Sequence, residues 1–339
     1  MNDQALPQER DMPAAQHAAR RAHLMRSIAA PPPAKTTRRR ILIGGLATAG
    51  LATGLAAALI MAPTTKVGTD QPIALAGAAQ VFSRAAKTAA AQPDLKPRPD
   101  QFIYAESRVR QAAMPGQPGW SATRRAWLSA DGRHAGLLEA DASPGGRRTW
   151  LCDGQHGSKA EMAAKKKGVL PTVDLAHPPV DCTDPPAYRK NLPTDPASAL
   201  KWLYRNSQGG NPPDVQAFAT VGDTLRESYV SPRALSAIFT AAAKIPGVTV
   251  GNAVDSVGRQ GVAVGQTWQN LRSELIFDPK TFRLLGERTV VRHDGSFRPS
   301  GGKSRPPVAE PTLKEGTVLY TSATIRTAVV DKPGELPAR

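Results

Sequence analysis

The chain has 339 residues, of which 40% are hydrophobic and 21% charged, and these values exclude a largely disordered protein. Its formal net charge of +16 at pH 7 comes mostly from scattered arginines, with neither interleaved aromatic residues nor a recognition motif, so a nucleic-acid-binding module is excluded. The 31 prolines cluster between the predicted elements, which indicates a fold rich in loops.

Residues 1–40 form a basic tail in which eight lysines and arginines outnumber three acidic residues. Asp11 and Pro13 are suited to the start of a helix, and a weak apolar stripe continues to about Ala29. A basic amphipathic helix of this kind can lie on anionic lipid or dock on a cytoplasmic partner. The candidate partner contacts are Arg20, Arg21, Leu24, Met25 and Ile28.

The segment from Ile41 to Ala62 contains no charged residue, proline, Asn, Gln or His. About twenty such residues, folded as a helix, cross a hydrocarbon layer of roughly 30 Å. The membrane-topology signal immediately before it consists of Arg38, Arg39 and Arg40. Because positive charge is retained in the cytoplasm, we expect a cytoplasmic N-terminus and an extracytoplasmic C-terminal domain. Gly50 and Gly54 form a GxxxG pair that can bring two such helices together, so a homodimer is one expectation.

The same region also resembles a twin-arginine export signal, at Thr37–Leu42. Ala-x-Ala sites at Ala74–Ala76 and Ala76–Ala78 are then possible cleavage points. We favour a retained single-pass anchor in the cell membrane, because the preceding tail is long and the cleavage sites fall inside a predicted helix. Both alternatives place the large domain outside the cytoplasm.

A linker over residues 63–73 leads to the main domain, residues 74–339. Apolar residues at helical spacing predict a helix over Leu75–Ala89. Strand-like runs follow at Gln101–Val109, Trp120–Ser129, Arg133–Glu139 and Arg147–Cys152. Asp131-Gly132, between the second and third runs, is a hairpin signal.

Cys152 and Cys182 are the two cysteines of the chain. Outside the cytoplasm such a pair predicts a disulfide, with two free buried thiols as the alternative. Closing the loop would stabilise the fold by roughly 3–4 kcal/mol. We predict no metal site, because His156 and His177 lie at no recognised ligand spacing from the cysteines.

The middle of the domain is predicted to be helical, and the end returns to strands. Helices are indicated from Asp195-Pro196 through Leu203, over Val215–Leu225, and from Ser231, the expected cap, to Ile245. Strands are indicated at Val248–Val250, Gly261–Thr267, Ser273–Phe277, Phe282–Val291 and Gly316–Val330, with a turn at Asp278–Thr281. This order predicts an α+β fold: one transmembrane helix, then an extracytoplasmic curved antiparallel sheet with helices packed on one face.

No common catalytic arrangement is present in the sequence. It contains no G-x-S-x-G elbow, no H-E-x-x-H zinc motif and no phosphate-binding loop. The histidines are scattered, and the sparse carboxylates nominate no acid–base pair. We therefore predict a protein that is not an enzyme and holds no cofactor.

Several segments together resemble a family of uncharacterised actinobacterial single-pass membrane proteins. The resemblance rests on Arg38–Arg40 before a Gly/Ala-rich anchor, on Phe82–Ala90, on Pro99–Tyr104 and on LIFDPKTFRLLGE at Leu275–Glu287. Members of that family are commonly encoded beside extracytoplasmic-function sigma factors, which implies a sigma factor as cytoplasmic partner of the tail. The tail departs from zinc-binding anti-sigma domains in lacking their H-x-x-x-C-x-x-C pattern.

The outer domain is also distantly similar to periplasmic lipoprotein carriers and to sensor domains of envelope-stress regulators. That similarity implies an antiparallel sheet wrapped around helices, able to shelter an acyl chain. The expected cavity lining is Phe102, Tyr104, Trp127, Phe239 and Phe277. Two hypotheses follow: a non-enzymatic, anti-sigma-like envelope sensor or regulator, and a lipid- or lipoprotein-binding carrier-like domain tethered to the membrane.

Overall fold

The structure, a computed structural model, describes residues 77–113, 118–141, 147–152, 173–207, 211–226, 228–296 and 312–338. The predicted tail, the membrane-spanning segment with Gly50 and Gly54, and the linker lie outside these residues and stay predictions. Across the described ranges, no helix combines the length and the apolar character needed to cross a membrane.

The described part of the chain contains four α-helices, of which three begin with a proline. They are α1 (Ala78–Ala90), α2 (Pro196–Arg205), α3 (Pro213–Arg226) and α4 (Pro232–Ala242). Proline suits a first turn because its missing N–H would be unpaired there in any residue. Before α2, the carboxylate of Asp195 accepts the backbone N–H of Ser198 at 2.9 Å. Ser231 precedes α4 but, contrary to the expected cap, its side chain makes no capping hydrogen bond.

The strands form one large antiparallel sheet and one small ribbon. They are β1 (Phe102–Gln111), β2 (Trp120–Ser129), β3 (Gly136–Ala140), β4 (Arg147–Leu151), β5 (Thr249–Val254), β6 (Gln260–Trp268), β7 (Leu271–Phe277), β8 (Leu284–Val291), β9 (Gly295–Ser296), β10 (Thr312–Leu313) and β11 (Val318–Val330). Nine of them pair in the order β4-β3-β2-β1-β11-β8-β7-β6-β5, and β9 pairs with β10. The predicted α+β class with an antiparallel sheet is therefore confirmed.

The connection between β2 and β3 is longer than the two-residue hairpin that Asp131-Gly132 suggests. It spans residues 130–135, and β3 begins at Gly136 rather than at Arg133. The hydroxyl of Ser129 accepts the backbone N–H of Gly132 at 3.0 Å, which shapes the start of the connection. Gly132 has a φ of +78°, and a Cβ there would lie 1.9 Å from the carbonyl oxygen of Asp184. The glycine therefore allows a later segment to dock on this turn.

The helices cover one face of the sheet and form its main core. Three phenylalanine rings meet there, Phe82 of α1, Phe239 of α4 and Phe277 of β7. Their ring centroids are 5.5–6.1 Å apart, and both pairs that include Phe277 are edge-to-face. All three rings are fully buried, and such pairs add stability beyond the apolar area that they bury.

The opposite face carries a second aromatic cluster near β1 and β2. Phe102, Tyr104 and Trp127 pack there with Val330. Tyr104 and Trp127 are directly opposite each other in the β1–β2 register, and their rings are 5.3 Å apart. The C-terminal segment lies over this cluster, because the indole N–H of Trp127 donates to the carbonyl oxygen of Glu335 at 2.6 Å.

A buried ion-pair network lies on the same opposite face, across β5 to β8. Nε of Arg272 donates to the carboxylate of Glu274 at 2.7 Å, and Arg288 donates to its other oxygen. Both guanidinium groups also donate to backbone carbonyls of β5, those of Thr249 and Asn252, at 2.9 Å. Because Glu274 is only 3% exposed, its two arginine partners supply the counter-charge that its burial requires.

The sheet is incomplete between β8 and β11. Along β1, the strand β11 is paired from Tyr320 to Val330, whereas its pairing with β8 ends at Thr321. A Cβ on Gly286 would lie 2.1 Å from the carbonyl oxygen of Ser322, so the two strands still touch at this point. Beyond it, the first residues of β8 and the second half of β11 have no ladder between them. The unpaired stretch opens the sheet towards the helices.

Candidate ligand-binding cavity

A cavity of about 610 Å³ lies where β8 and β11 separate. The end of α1, the start of α4, the β7–β8 connection and residues 324–327 of β11 surround it. Pockets of roughly 300–1,000 Å³ hold most small-molecule ligands. The cavity is therefore large enough for an organic ligand.

Apolar side chains make up most of the helical side of the cavity. Ala85 and Ala89 of α1 line it together with Leu235 and Phe239 of α4, and Phe282 contributes from the β7–β8 connection. All five belong to the main core or pack against it. Because the side chains of α1 are small, they leave an empty space beside this helix. The larger side chains of α4 and of the β7–β8 connection enclose that space.

Two large apolar side chains at the cavity remain exposed to solvent. Leu95, which follows α1, is 38% exposed, and Ile325 of β11 is 46% exposed. Ile325 occupies a β-bulge, since the β1 register passes from Arg326 to Thr324 without it. A bulge leaves its extra residue unpaired and redirects its side chain. The bulge thus gives the cavity an accessible apolar rim.

Arg259 closes the cavity at the point where the strands begin to separate. Its Nη2 donates to the carbonyl oxygens of Leu285 in β8 and Thr324 in β11, at 3.1 and 3.0 Å. Its Nε donates to the carboxylate of Asp255 at 2.6 Å, and that carboxylate is fully buried. The guanidinium group therefore takes the place of a sheet hydrogen bond between two strands that no longer pair.

The charged groups of the lining are mostly cationic. Arg259, Arg283 and Arg326 belong to the lining, together with one carboxylate, Asp278. Arg259 is paired with the buried Asp255, and the guanidinium of Arg326 donates to the carbonyls of Pro337 and Ala338 on the opposite face of the sheet. Backbone N–H groups of the β7–β8 connection, first that of Thr281 at 2.6 Å, donate to Asp278 and hold its pKa below the ordinary value. This carboxylate stays ionised but its oxygens are engaged in the turn. The other charged group of the β7–β8 connection in the lining is Arg283, whose carbonyl oxygen accepts the backbone N–H of Asp278.

Hydrogen bonds from side chains fix the walls to one another. The hydroxyl of Thr88 in α1 donates to the carbonyl oxygen of Thr281 at 2.7 Å, which joins the helix to the β7–β8 connection. The Tyr229 hydroxyl donates to Asp94 at 2.9 Å and accepts the backbone N–H of Leu95 at 2.8 Å. Burial raises the pKa of Tyr229 well above its ordinary value, so it stays a neutral phenol. These hydrogen bonds join α1 to the β7–β8 connection, and residues 94–95 to Tyr229.

The five aromatic residues that the sequence nominated do not share one lining. Phe102, Tyr104 and Trp127 lie in the cluster on the opposite face of the sheet. Phe239 and Phe277 lie on the helical face, where they contact each other, and of the five only Phe239 borders the cavity described here. The observed lining therefore differs from the expected one in four of its five members.

The predicted disulfide between Cys152 and Cys182 is present. The two sulfur atoms and the carboxylate of Asp184 lie within 4.8 Å of one another, a spacing suited to metal ligands. Because the sulfurs are bonded to each other, they do not offer thiolates to a metal ion. Arg20–Ile28 and Arg38–Arg40, the other nominated sites, lie outside the described residues.

Several residues of the cavity gave no functional signal in the sequence. Leu235 belongs to a helical stripe that indicates only core, and Arg259 lies between two predicted strands, outside any motif. The one usable signal was Asp278–Thr281, a turn that opens one wall of the cavity. The residues of the cavity come together only because particular strands become neighbours in the sheet. No local sequence pattern indicates which strands these are.

No protein-family model and no curated protein matches this chain. A solved structure of a LolA superfamily protein from Nitrosomonas europaea is similar, with 11% identity and a TM-score of 0.20, over 78% of this chain and 96% of that one. A likeness this weak carries no functional argument. The cavity is therefore interpreted from its own geometry.

Proposed function

We propose that this domain is a non-enzymatic, carrier-like module that binds a lipid or the acyl chain of a lipoprotein. The observation that carries the proposal is the cavity between β8 and β11, with its apolar helical wall and its accessible rim. The further proposal that the domain is extracytoplasmic and tethered by the segment Ile41–Ala62 rests on the sequence and on the disulfide, a bond typical of oxidising compartments.

The composition of the lining favours an aliphatic ligand over a polar one. On that wall, the alanines of α1 and the side chains of Leu235 and Phe239 offer no hydrogen-bond donor or acceptor, and the hydroxyl of Thr88 already donates to the carbonyl oxygen of Thr281. Burying a polar group against such a wall costs free energy without a compensating hydrogen bond. Burying methylene groups there is favourable by about 0.8 kcal/mol each.

The envelope-regulator hypothesis remains a separate prediction. It rests on the basic tail and on the family resemblance, and the tail lies outside the described residues. A sensor would also need a ligand site, so a lipid in the cavity is compatible with both hypotheses. What distinguishes them is a cytoplasmic partner that depends on residues 1–30.

The proposal is tested with a long-chain fatty acid that bears a photoreactive group on its chain and an alkyne for enrichment. The full chain, in native membranes, is irradiated with the probe, and mass spectrometry then locates the labelled peptides. We expect labelling of peptides that contain Leu235, Phe282 and Ile325.

Leu235→Trp is the variant that fills the cavity, and it should lower this labelling strongly. Leu175→Trp is the matched control, because Leu175 is 44% exposed and does not border the cavity. Labelling that is spread over the surface, or that is equal in the wild type and Leu235→Trp, would reject the cavity as a lipid site.

A further inference from the structure

The segment that follows β11, residues 331–338, turns back and lies on the face of the sheet opposite the helices. A turn begins at Lys332, whose carbonyl oxygen accepts the backbone N–H of Glu335 at 3.3 Å. Pro333 is the second residue of this turn and Gly334, with a φ of +86°, is the third, which is typical of a type II turn. The carboxylate of Glu335 also accepts the backbone N–H of Lys332, at 3.1 Å. The turn is therefore stabilised by contacts within the segment itself.

Beyond the turn, the protein holds the segment by its backbone carbonyl groups. The indole N–H of Trp127 donates to the carbonyl oxygen of Glu335 at 2.6 Å. The guanidinium group of Arg326 donates to the carbonyl oxygens of Pro337 and Ala338. These hydrogen bonds depend on the path of the backbone and not on the side chains, so a different peptide that follows the same path can accept them.

The side chains of the segment contribute little to its attachment. Leu336, its one large apolar side chain, is 62% exposed, and Lys332 and Glu335 are exposed as well. The surface beneath the segment is buried, since Trp127 is 1% and Leu137 0% exposed. The protein thus gains a cover for an aromatic cluster, whereas the segment buries little apolar area of its own.

Apolar side chains border the segment at the turn. A Cβ on Gly334 would lie 3.5 Å from Cδ1 of Leu175 and 3.9 Å from Cδ2 of Leu137, which is ordinary van der Waals contact. We define the docking surface as Trp127, Leu137, Leu175 and Arg326. It combines apolar contact with N–H donors directed at carbonyl groups. Aromatic-lined grooves bind extended, proline-containing peptides by the same combination.

We infer that the docking surface binds an extended, proline-containing segment of a partner protein, which displaces residues 332–338 from it. Proline favours an extended backbone without internal hydrogen bonds, so its neighbouring carbonyl groups are available to the donors of the surface. Asp331 marks the point from which the displaced segment departs, because its carboxylate accepts hydrogen bonds from Arg98 and Gln101 at 3.0 and 2.8 Å. The inference is independent of the lipid-binding proposal, which concerns the helical face of the sheet.

The test uses the full chain with the recognition sequence of a site-specific protease inserted between Asp331 and Lys332. The protein then folds with its own segment, and the segment is cut off afterwards. A fluorescent peptide with the sequence of residues 332–338 should bind saturably to the cut protein. Binding to the uncut protein should be saturable but at least about tenfold weaker, because the attached segment competes at a local concentration in the millimolar range.

Trp127→Phe is the variant that removes one donor of the docking surface and keeps an aromatic ring in the cluster. It should weaken binding of the peptide to the cut protein about fivefold, the effect of one ordinary hydrogen bond. Trp150→Phe is the matched control, because Trp150 packs against the same cluster. Within the described residues, no hydrogen bond joins the Trp150 indole to the segment, so this variant should leave binding unchanged.

Three outcomes would overturn the inference. In the first, the peptide does not bind saturably to the cut protein, or Trp127→Phe and Trp150→Phe weaken its binding equally. In the second, cutting unfolds the protein in the absence of urea, as measured by pulse proteolysis, which shows that the segment is a fixed part of the fold. In the third, the uncut protein forms dimers that cutting abolishes, measured by light scattering, which identifies a second copy of the chain as the occupant.

Discussion

Loss of the disulfide should destabilise the domain substantially. The bond joins Cys152, at the end of the edge strand β4, to Cys182, 30 residues later. For a closed loop of this length, the chain-entropy relation gives a stabilisation of about 3.6 kcal/mol at 25 °C. A second link holds the segment after Cys182 in place, since the backbone N–H of Asp184 donates to the carbonyl oxygen of Gly132 at 2.9 Å. Reduction should therefore act mainly on the unfolded chain.

Pulse proteolysis in increasing urea measures this difference on the full chain. The double variant Cys152→Ser/Cys182→Ser and the reduced wild type should unfold at the same, lower urea concentration, and the reductant should not affect the variant. The loop-entropy reasoning is refuted if the variant loses less than about 1 kcal/mol of unfolding free energy. A reduced wild type that is much less stable than the variant would point to a cost of burying two thiols instead.

Two core substitutions test the packing of each face by the same measurement. Phe277→Ala should lower the free energy of unfolding by about 3–5 kcal/mol, because it leaves a void between two buried rings, and Phe277→Leu should recover part of the loss. Glu274→Gln should cost about 3–5 kcal/mol, because Arg272 and Arg288 then stay buried without a counter-charge. If Phe277→Ala lowers the free energy of unfolding by less than about 1 kcal/mol, the surrounding core relaxes to fill the void. If Glu274→Gln lowers it by less than about 1 kcal/mol, water enters and solvates the two arginines.

Local signals in the sequence were sufficient for most elements of the main domain. The sequence Asp195-Pro196 identifies the start of α2, and the structure shows the capping hydrogen bond. The β7–β8 connection was predicted from Asp278–Thr281, and Asp278 accepts backbone N–H groups there. These features depend on residues within one turn of each other, so an isolated stretch of sequence contains the whole interaction.

The orientation of β1 could not be predicted in this way. Phe102, Ile103 and Tyr104 are consecutive and all buried, so no alternation between apolar and polar residues indicates the face that the helices cover. The structure places Ile103 in a different cluster from its two neighbours, as the alternation of a strand requires. The nominated cavity residues Phe102 and Tyr104 therefore lie on the opposite face from Phe239.

The cavity itself results from long-range pairing. β11 enters the sheet between β1 and β8, although more than 200 residues separate Phe102 from Val330 in the sequence. Whether β8 follows β11 over its full length depends on the bulge at Ile325 and on the contact between Gly286 and Ser322. No local propensity records such a mismatch between two strands, which is why the residues nominated from the family resemblance do not mark the position of the cavity.

An incomplete sheet explains why a basic residue and an apolar pocket occur together in this fold. Strands that separate leave carbonyl groups without ladder partners, and buried carbonyls need a donor. Arg259 supplies that donor to both Leu285 and Thr324, since one guanidinium group can reach two acceptors. The same opening leaves the helical wall of the cavity accessible. If the proposed function is correct, a ligand chain would enter at this opening without breaking a strand pair of the sheet.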